Sequence, residues 1–415
     1  MGPITLFDKS FLQSLSVDES VWFDHYFYSV ICPIFYVETL ADLGKETKRR
    51  SPEQEVGIIA DKFPEMHGTP SAHHRDMAIN SLLGNNVPLT GQIPMAGGRV
   101  VKSGKRKGVV YDQSPEAEAF LRWQKREFGE VEKKYAREWR AALKDHNQNE
   151  MASIFKKIGI TGKNCRSLED AKAIADAVVN TKDHPFDKIK LAIFVLNIPP
   201  HLHRPIIERW SMHNYPPLHQ YAPYAAHVLT VDIFYQIAIA ASLESSQRPS
   251  NRMDIAYLYY LPFCMVFISS DKLHERCSKL FLRDNQDFAE GKIIKKDLAM
   301  LNTHFSALPD EEKAAGIGVF ASHPLPDINC KLNDLWDSHL PGWRQKAKEP
   351  YTKPKSDPEL VKEMNKFNEA PGLKPDEIDF DLDDADMMSL QRMVSKRKGS
   401  WWQLPEELKT DEEQQ

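Results

Sequence analysis

The segment from Asn251 to Leu273 reads NRMDIAYLYYLPFCMVFISSDKL. Ile255, Leu258 and Leu261 fall at helical spacing in its first half, and Pro262 ends that pattern because proline lacks the donor a helix needs. From Phe263 to Ile268 the run is almost continuously apolar, as expected of a strand buried on both faces of a parallel sheet. Ser269-Ser270-Asp271 closes the run. Asp254 is thereby expected to open a helix and Asp271 to end a strand.

Two runs near the N-terminus share this form. ITLFDKSFLQ begins at Ile4 and predicts a strand over 4–8, then a helix from Ser10 with Phe11, Leu12 and Leu15 on one face. ICPIFYVETLADL begins at Ile31, within an apolar block over Val30–Val37, and continues with Glu38, Leu40 and Leu43 at helical spacing. A strand feeding a helix, with Glu38 at the junction in the helix's first turn, predicts a βαβ-type start and an α/β fold with a parallel sheet. Loops at the carboxyl ends of parallel strands converge on one sheet edge, so Asp8, Glu38, Asp254 and Asp271 are expected to meet there.

At 415 residues, 41% hydrophobic and 27% charged, the chain has the composition of a globular protein able to bury a full core. Its net charge of -5 excludes coating of nucleic acid by bulk charge and leaves room only for a local basic patch. Five scattered cysteines, Cys32, Cys165, Cys264, Cys277 and Cys330, form no C-x-x-C pair, which argues against a disulfide framework and for a reducing, cytoplasmic setting. The N-terminus carries no basic region followed by an apolar one, so no signal peptide is expected. No run reaches the length of a membrane span, and no membrane partner is expected.

Residues 47–113 are polar and rich in turn formers, with Arg99, Lys102, Lys105, Arg106 and Lys107 in a stretch free of acids. That stretch reads as a flexible, phosphate-contacting loop. Ser114-Pro115-Glu116 starts a helix expected to reach about Lys144, its aromatics facing inward rather than forming a base-stacking platform. Residues 150–243 read as successive helices broken by glycines and proline pairs. The histidines at 201, 203, 213, 219 and 227 match no compact zinc pattern and are expected to be structural. Beyond Leu308 the chain turns loop-rich, and 376–386 carries seven acids and no base, read as a solvated tail or one docked on a basic surface.

Four carboxylates at one sheet edge suit a hard divalent cation, which prefers oxygen ligands and orients a phosphate while activating water. Without a cation such a cluster repels itself and raises its own pKa values. The ordinary alternative for Glu38 and Asp254 is that first-turn acids merely favour the helix dipole.

Three of these runs resemble the motifs of PIN-like nuclease domains. LFDKSFLQ is similar to the opening strand ending in an acid, followed by Ser10; PIFYVETLADL resembles the second motif with Glu38; and MDIAYLYYLPFCMVFISSDK resembles the third and fourth, with Asp254, Ser269 or Ser270, and Asp271. The resemblance implies a Rossmann-like α/β/α sandwich and Mg²⁺- or Mn²⁺-dependent phosphodiester hydrolysis, of RNA before DNA. Asp8, Glu38, Asp254 and Asp271 would be the metal ligands and catalytic acids, with Ser10, Ser269 and Ser270 supporting them. Lys9, Lys272 and the 99–107 basic residues would contact the nucleic acid.

Glu38 and Asp254 lie more than 200 residues apart, further than in a minimal domain of that kind. The expected organisation is a discontinuous core, 1–50 and 245–308, a loop-rich then mainly helical insertion over 51–244, and a C-terminal extension over 309–415. The insertion offers room for a protein partner or a homo-oligomer surface. A non-catalytic scaffold acting through the insertion and tail is the alternative. An aspartate-based phosphatase fits less well, because Asp8-Lys9-Ser10 lacks the second Asp that chemistry wants.

Overall fold

The computed structural model describes residues 2–408 apart from 47–48, 146–147, 158, 160, 182, 246–247, 249, 350–357 and 382–383. The chain opens with β1 (Ile4–Phe7), α1 (Lys9–Ser14), α2 (Val17–Tyr26), β2 (Tyr28–Ile31) and α3 (Pro33–Leu40). Next come α4 (Pro52–Ala60), β3 (Thr69–Pro70), α5 (His74–Leu82), β4 (Arg99–Ser103), β5 (Arg106–Tyr111), α6 (Pro115–Gln124) and α7 (Glu130–Asp145). After several further helices follow α8 (Pro223–Ala240), α9 (Ser250–Ala256), a 3₁₀ stretch over Tyr257–Phe263, β6 (Val266–Ser269), α10 (Lys272–Ser278), β7 (Asp287–Glu290) and α11 (Gly291–Ser306). The C-terminal region adds α12 (Pro358–Glu369) and β8 (Met387–Leu390) among smaller elements.

The fold is α/β, built on a five-stranded sheet in the order β3-β2-β1-β6-β7 whose pairings are all parallel. The chain winds outward from β1 through β2 to β3, then returns to lay β6 on the other side of β1. Strand order therefore reverses between β1 and β6, and a crevice outside the carboxyl ends of those strands is where such sheets place ligands. Leu6 pairs with Phe267 and Phe7 with Ile268, so both strands end level at that crevice.

β6 is buried along its whole length, which explains why its sequence is apolar without alternation. Phe7 meets Phe23 of α2 and Phe35 of α3 edge-on at 5.3 and 5.1 Å, which anchors β1 against both helices. α8 is buried around nearly its full circumference, as a helix apolar on all sides must be.

Several expectations change. The segment 251–261 is not one helix, because Pro262 and the bulky Tyr257–Phe263 run tighten into a buried 3₁₀ stretch after α9. The helix expected over 114–144 breaks between α6 and α7, where Arg126 takes a left-handed backbone conformation with φ 62°. Phe120 and Trp123 do pack inward, against Phe63 at 3.9 Å and Tyr36 at 5.1 Å.

The polar segment 47–113 holds α4, β3 and α5, and β3 forms the sheet's edge beside β2. The region read as an insertion thus contributes to the sheet itself. A single hydrophobic cluster also runs from Leu6 through α8 to Trp336, Trp343 and Trp401 of the C-terminal region.

The basic stretch is not a flexible loop. It forms the β4–β5 hairpin, which continues into β8 to make a separate three-stranded sheet. The acidic tail and α12 lie on this hairpin: Lys102 pairs with Asp379 at 2.8 Å and the Lys107 amide donates to Asp386 at 3.0 Å, while Arg106 pairs with Glu363 of α12 at 2.9 Å. Arg99 is occupied by Asp112 at 2.9 Å. Of the seven tail acids, Asp383 lies outside the described residues. Exposed ion pairs contribute little because water and salt screen them. Asp379→Asn is accordingly expected to leave the melting temperature unchanged within error; a fall of several degrees in a thermal scan would mean the tail is held by that pair rather than by β8.

Candidate functional site

Asp8 and Asp271 are placed by the same local device. Each follows a strand and caps the next helix, so its carboxylate satisfies an otherwise orphaned backbone donor. Asp8 Oδ1 accepts the Phe11 amide at 2.8 Å, and Asp271 Oδ1 accepts the Leu273 amide at 2.6 Å. Capping alone would account for one oxygen of each.

The second oxygen of Asp8 shows what capping does not explain. Asp8 Oδ2 accepts the Ser10 and Ser269 hydroxyls, each at 2.7 Å, and lies 3.3 Å from His274 Nδ1. Burial works to raise the Asp8 carboxyl's pKa, but the hydrogen bond and charge of His274, with the two serines, outweigh it and hold the group below its ordinary value. Between the two candidate serines, Ser269 is the one joined to the acids; its oxygen also accepts the Asp271 amide at 3.0 Å. The Ser270 hydroxyl is buried without a hydrogen-bond partner.

Glu38 is not a first-turn acid. It is the sixth residue of the eight-residue α3, near the end where the helix dipole disfavours negative charge, so the dipole does not explain it. Glu38 Oε2 instead accepts the Tyr257 hydroxyl at 2.7 Å, and Oε1 lies 3.3 Å from Lys9 Nζ. Lys9 also pairs with Asp42 at 3.0 Å and is itself only 6% exposed. The expectation that Lys9 contacts phosphate is therefore corrected: its ammonium is buried and engaged with two carboxylates. Burial opposes that charge, yet Glu38 and Asp42 together raise the lysine's pKa. Lys272, by contrast, is exposed.

Asp254 is likewise not in a first turn, being the fifth residue of α9. Burial pushes its carboxyl up to about 7, with Glu38, Asp271 and Asp8 adding to the rise and His274 opposing it. Asp254 therefore feels the charge of Glu38, Asp271 and Asp8. Glu244, which sequence reasoning missed, is also raised by burial and by Asp271 while pairing with Arg276 at 2.6 Å.

Repulsion among the acids is relieved from within the protein. Lys9 faces Glu38, and His274, raised to about 9, faces Asp8; burial lowers the imidazole's pKa, but hydrogen bonding and charge from Asp8, then Asp254, prevail. Internal cations therefore do part of what the sequence reading assigned to a metal. Among the described residues no group of three or more His, Cys, Asp or Glu side chains is arranged to hold a metal ion. The arrangement is not a preformed four-carboxylate cage.

The donor chemistry fits a looser mode, in which Mg²⁺ takes one or two carboxylates and completes its shell with water and substrate phosphate. Asp254, whose carboxyl is pushed up to about 7 by burial and neighbouring acids, and Asp271 are the residues that would hold it. Of the histidines of 201–227, His203, His213 and His227 bond to the Ile198, Arg209 and Leu258 carbonyls, a structural role.

Tyr257 and His274 carry no signal in a linear motif, since each earns its place only by the element opposite. Tyr257→Phe should remove one donor from Glu38 and cost about 1 kcal/mol of stability. Urea unfolding measures this, and an unchanged midpoint would mean that water replaces the hydroxyl. No family model, curated protein or solved structure matches the chain.

Proposed function

We propose that the protein is a PIN-like, metal-dependent phosphodiesterase cleaving RNA, with Asp8, Glu38, Asp254 and Asp271 as its acidic site. The observation that carries this reading is the geometry at the β1/β6 switch point, where Ser269 joins the Asp8 carboxylate to the Asp271 backbone and His274 joins Asp8 to the Asp254 backbone, with Asp254 pushed up to about 7 by burial and neighbouring acids. A bound Mg²⁺ or Mn²⁺ would neutralise phosphate charge and supply an activated water. Asp254 and Asp271 would hold it, and Glu38, fixed by Tyr257 and Lys9, would orient water beside it. Asp8, fixed by Ser10, Ser269 and His274, keeps one lone pair on Oδ1 for the same purpose.

Arg99, Lys102 and Arg106 of the hairpin are already paired with acids of the chain, so phosphate contact falls first to exposed Lys272 and Lys105. The five cysteines are free thiols, which supports a reducing, cytoplasmic setting, and no helix of the described residues is long and apolar enough to cross a membrane. The test is cleavage of end-labelled single-stranded RNA with Mg²⁺ or Mn²⁺. Asp8→Asn and Asp271→Asn should each abolish cleavage while circular dichroism shows an intact fold. Cleavage at the wild-type rate by both variants would end the assignment.

A scaffold reading is favoured by one observation, the neutralisation of Glu38 and Asp8 by Lys9 and His274. Calorimetric titration with Mn²⁺ separates the two, since a scaffold shows no carboxylate-dependent binding. A protein partner or a second copy would then act through the helical segment before α8.

A further inference from the structure

His274 lies on α10, three residues beyond Asp271, and is fully buried, yet neither ring nitrogen faces carbon. Nε2 is 2.7 Å from the Asp254 carbonyl oxygen, which only accepts, so Nε2 carries a proton. Nδ1 is 2.8 Å from Ser269 Oγ and 3.3 Å from Asp8 Oδ2. The Ser269 hydroxyl proton already points to Asp8, and its oxygen accepts the Asp271 amide, so Nδ1 donates as well. Phe267 and Tyr257 hold the ring edge-on at 5.1 and 5.4 Å, which fixes its plane.

A core histidine is ordinarily satisfied by whatever acceptor lies nearest. Here the acceptors are the carboxylate of one candidate acid and the backbone of another, on elements far apart in sequence. We propose that His274 is a positioning residue that sets these acids relative to each other, its Nδ1–H fixing the Asp8 carboxylate and its Nε2–H fixing the helix that carries Asp254. Its purpose rests on the nuclease reading above; the bridge itself does not.

Two substitutions separate the links, because an asparagine amide nitrogen reaches the place of Nδ1 and a glutamine amide nitrogen that of Nε2. His274→Asn, which keeps only the Asp8 link, should let backbone amides of α9 exchange faster with deuterium and, because α9 carries Asp254, lower Mn²⁺ affinity in calorimetry by roughly 10- to 100-fold, the usual effect of losing a group that orients a ligand. His274→Gln, which keeps only the Asp254 link, should leave α9 protected and Mn²⁺ affinity near the wild-type value while Mn²⁺-dependent cleavage slows by about 10-fold or more. This contrast between the two variants supports the proposal. If both variants lose both properties together, or neither variant changes either, the ring only fills space and the proposal falls. Should the wild-type protein bind no Mn²⁺, the nuclease reading fails separately, and the exchange data decide alone: protection kept by Gln and lost by Asn upholds the bridge, and equal protection overturns it.

Discussion

Asp254→Asn is expected to make the protein more stable and inactive at once. Burial, Glu38, Asp271 and Asp8 push the Asp254 carboxyl up to about 7, against an ordinary 3.8. A raised carboxyl destabilises the fold wherever it must ionise, so the cost is absent below 3.8 and is complete above the folded value of about 7. Asparagine keeps the shape and discards the charge. At mildly alkaline pH the gain should be roughly 2 kcal/mol, after discounting the shift for the side chain's partial exposure.

Function should move the other way. Loss of a residue that only orients a metal ligand typically costs about 10- to 100-fold, so loss of a ligand should cost at least about 100-fold in Mn²⁺-dependent cleavage. Opposite signs for stability and activity mark a site kept strained for function. Urea unfolding with chelator present, and cleavage with Mn²⁺ present, measure the two effects. A variant that is less stable and still cleaves would refute both the electrostatic account of Asp254 and its assigned role. Stabilisation without any loss of metal binding would favour the scaffold.

The wild-type protein should also lose stability as pH rises from neutral to alkaline. His274 is raised from 6.5 to about 9: burial opposes the charged ring, but Asp8's hydrogen bond and charge prevail. A group raised in the folded state contributes stability that is complete below its unfolded value and lost as pH passes the folded one. The window is therefore 6.5 to about 9, and the loss across it is on the order of 3 kcal/mol. Asp254 acts in the same direction at lower pH, between 3.8 and about 7. Asp8 acts in the opposite direction: its carboxyl is lowered, so its contribution is present above 3.8 and is lost as pH falls through the folded value.

The three groups together place maximum stability at about pH 4, where in the folded protein Asp8 is ionised and Asp254 is still protonated. Unfolding midpoints in urea from that pH to the alkaline range, with chelator present so that no metal replaces a proton, give the profile. His274→Asn should flatten its alkaline limb. A flat wild-type profile would show that the Asp8–His274 pair is not an ion pair.

Much of this arrangement is legible in a line of residues because its causes are local. An uninterrupted apolar run means a strand covered on both faces, as β6 is, and an Asp within two residues after a strand and two or three before a free amide means a cap, as at Asp8 and Asp271. Helix phase is less legible. Glu38 and Asp254 were expected in first turns, yet α3 starts at Pro33 and α9 at Ser250, because Pro33 fits the first helical position and the chain enters α9 earlier than its apolar spacing suggests.

The basic run over 99–107 departs from its sequence expectation for a different reason. Arg99 pairs locally with Asp112, whereas Lys102 and Arg106 pair with Asp379 and Glu363 of the C-terminal region, which also supplies β8 to the sheet.

By itself, then, the sequence determined an α/β fold, a parallel sheet, and acids at the ends of its strands, since burial pattern and capping act over a few residues. Tertiary structure alone decided how those acids live together. Strand order reversed between β1 and β6, which brought 8 and 271 to one crevice, and only in the folded chain do His274 and Lys9 become counter-charges to Asp8 and Glu38, because Coulomb attraction in a buried site depends on distance in space and not on distance along the chain.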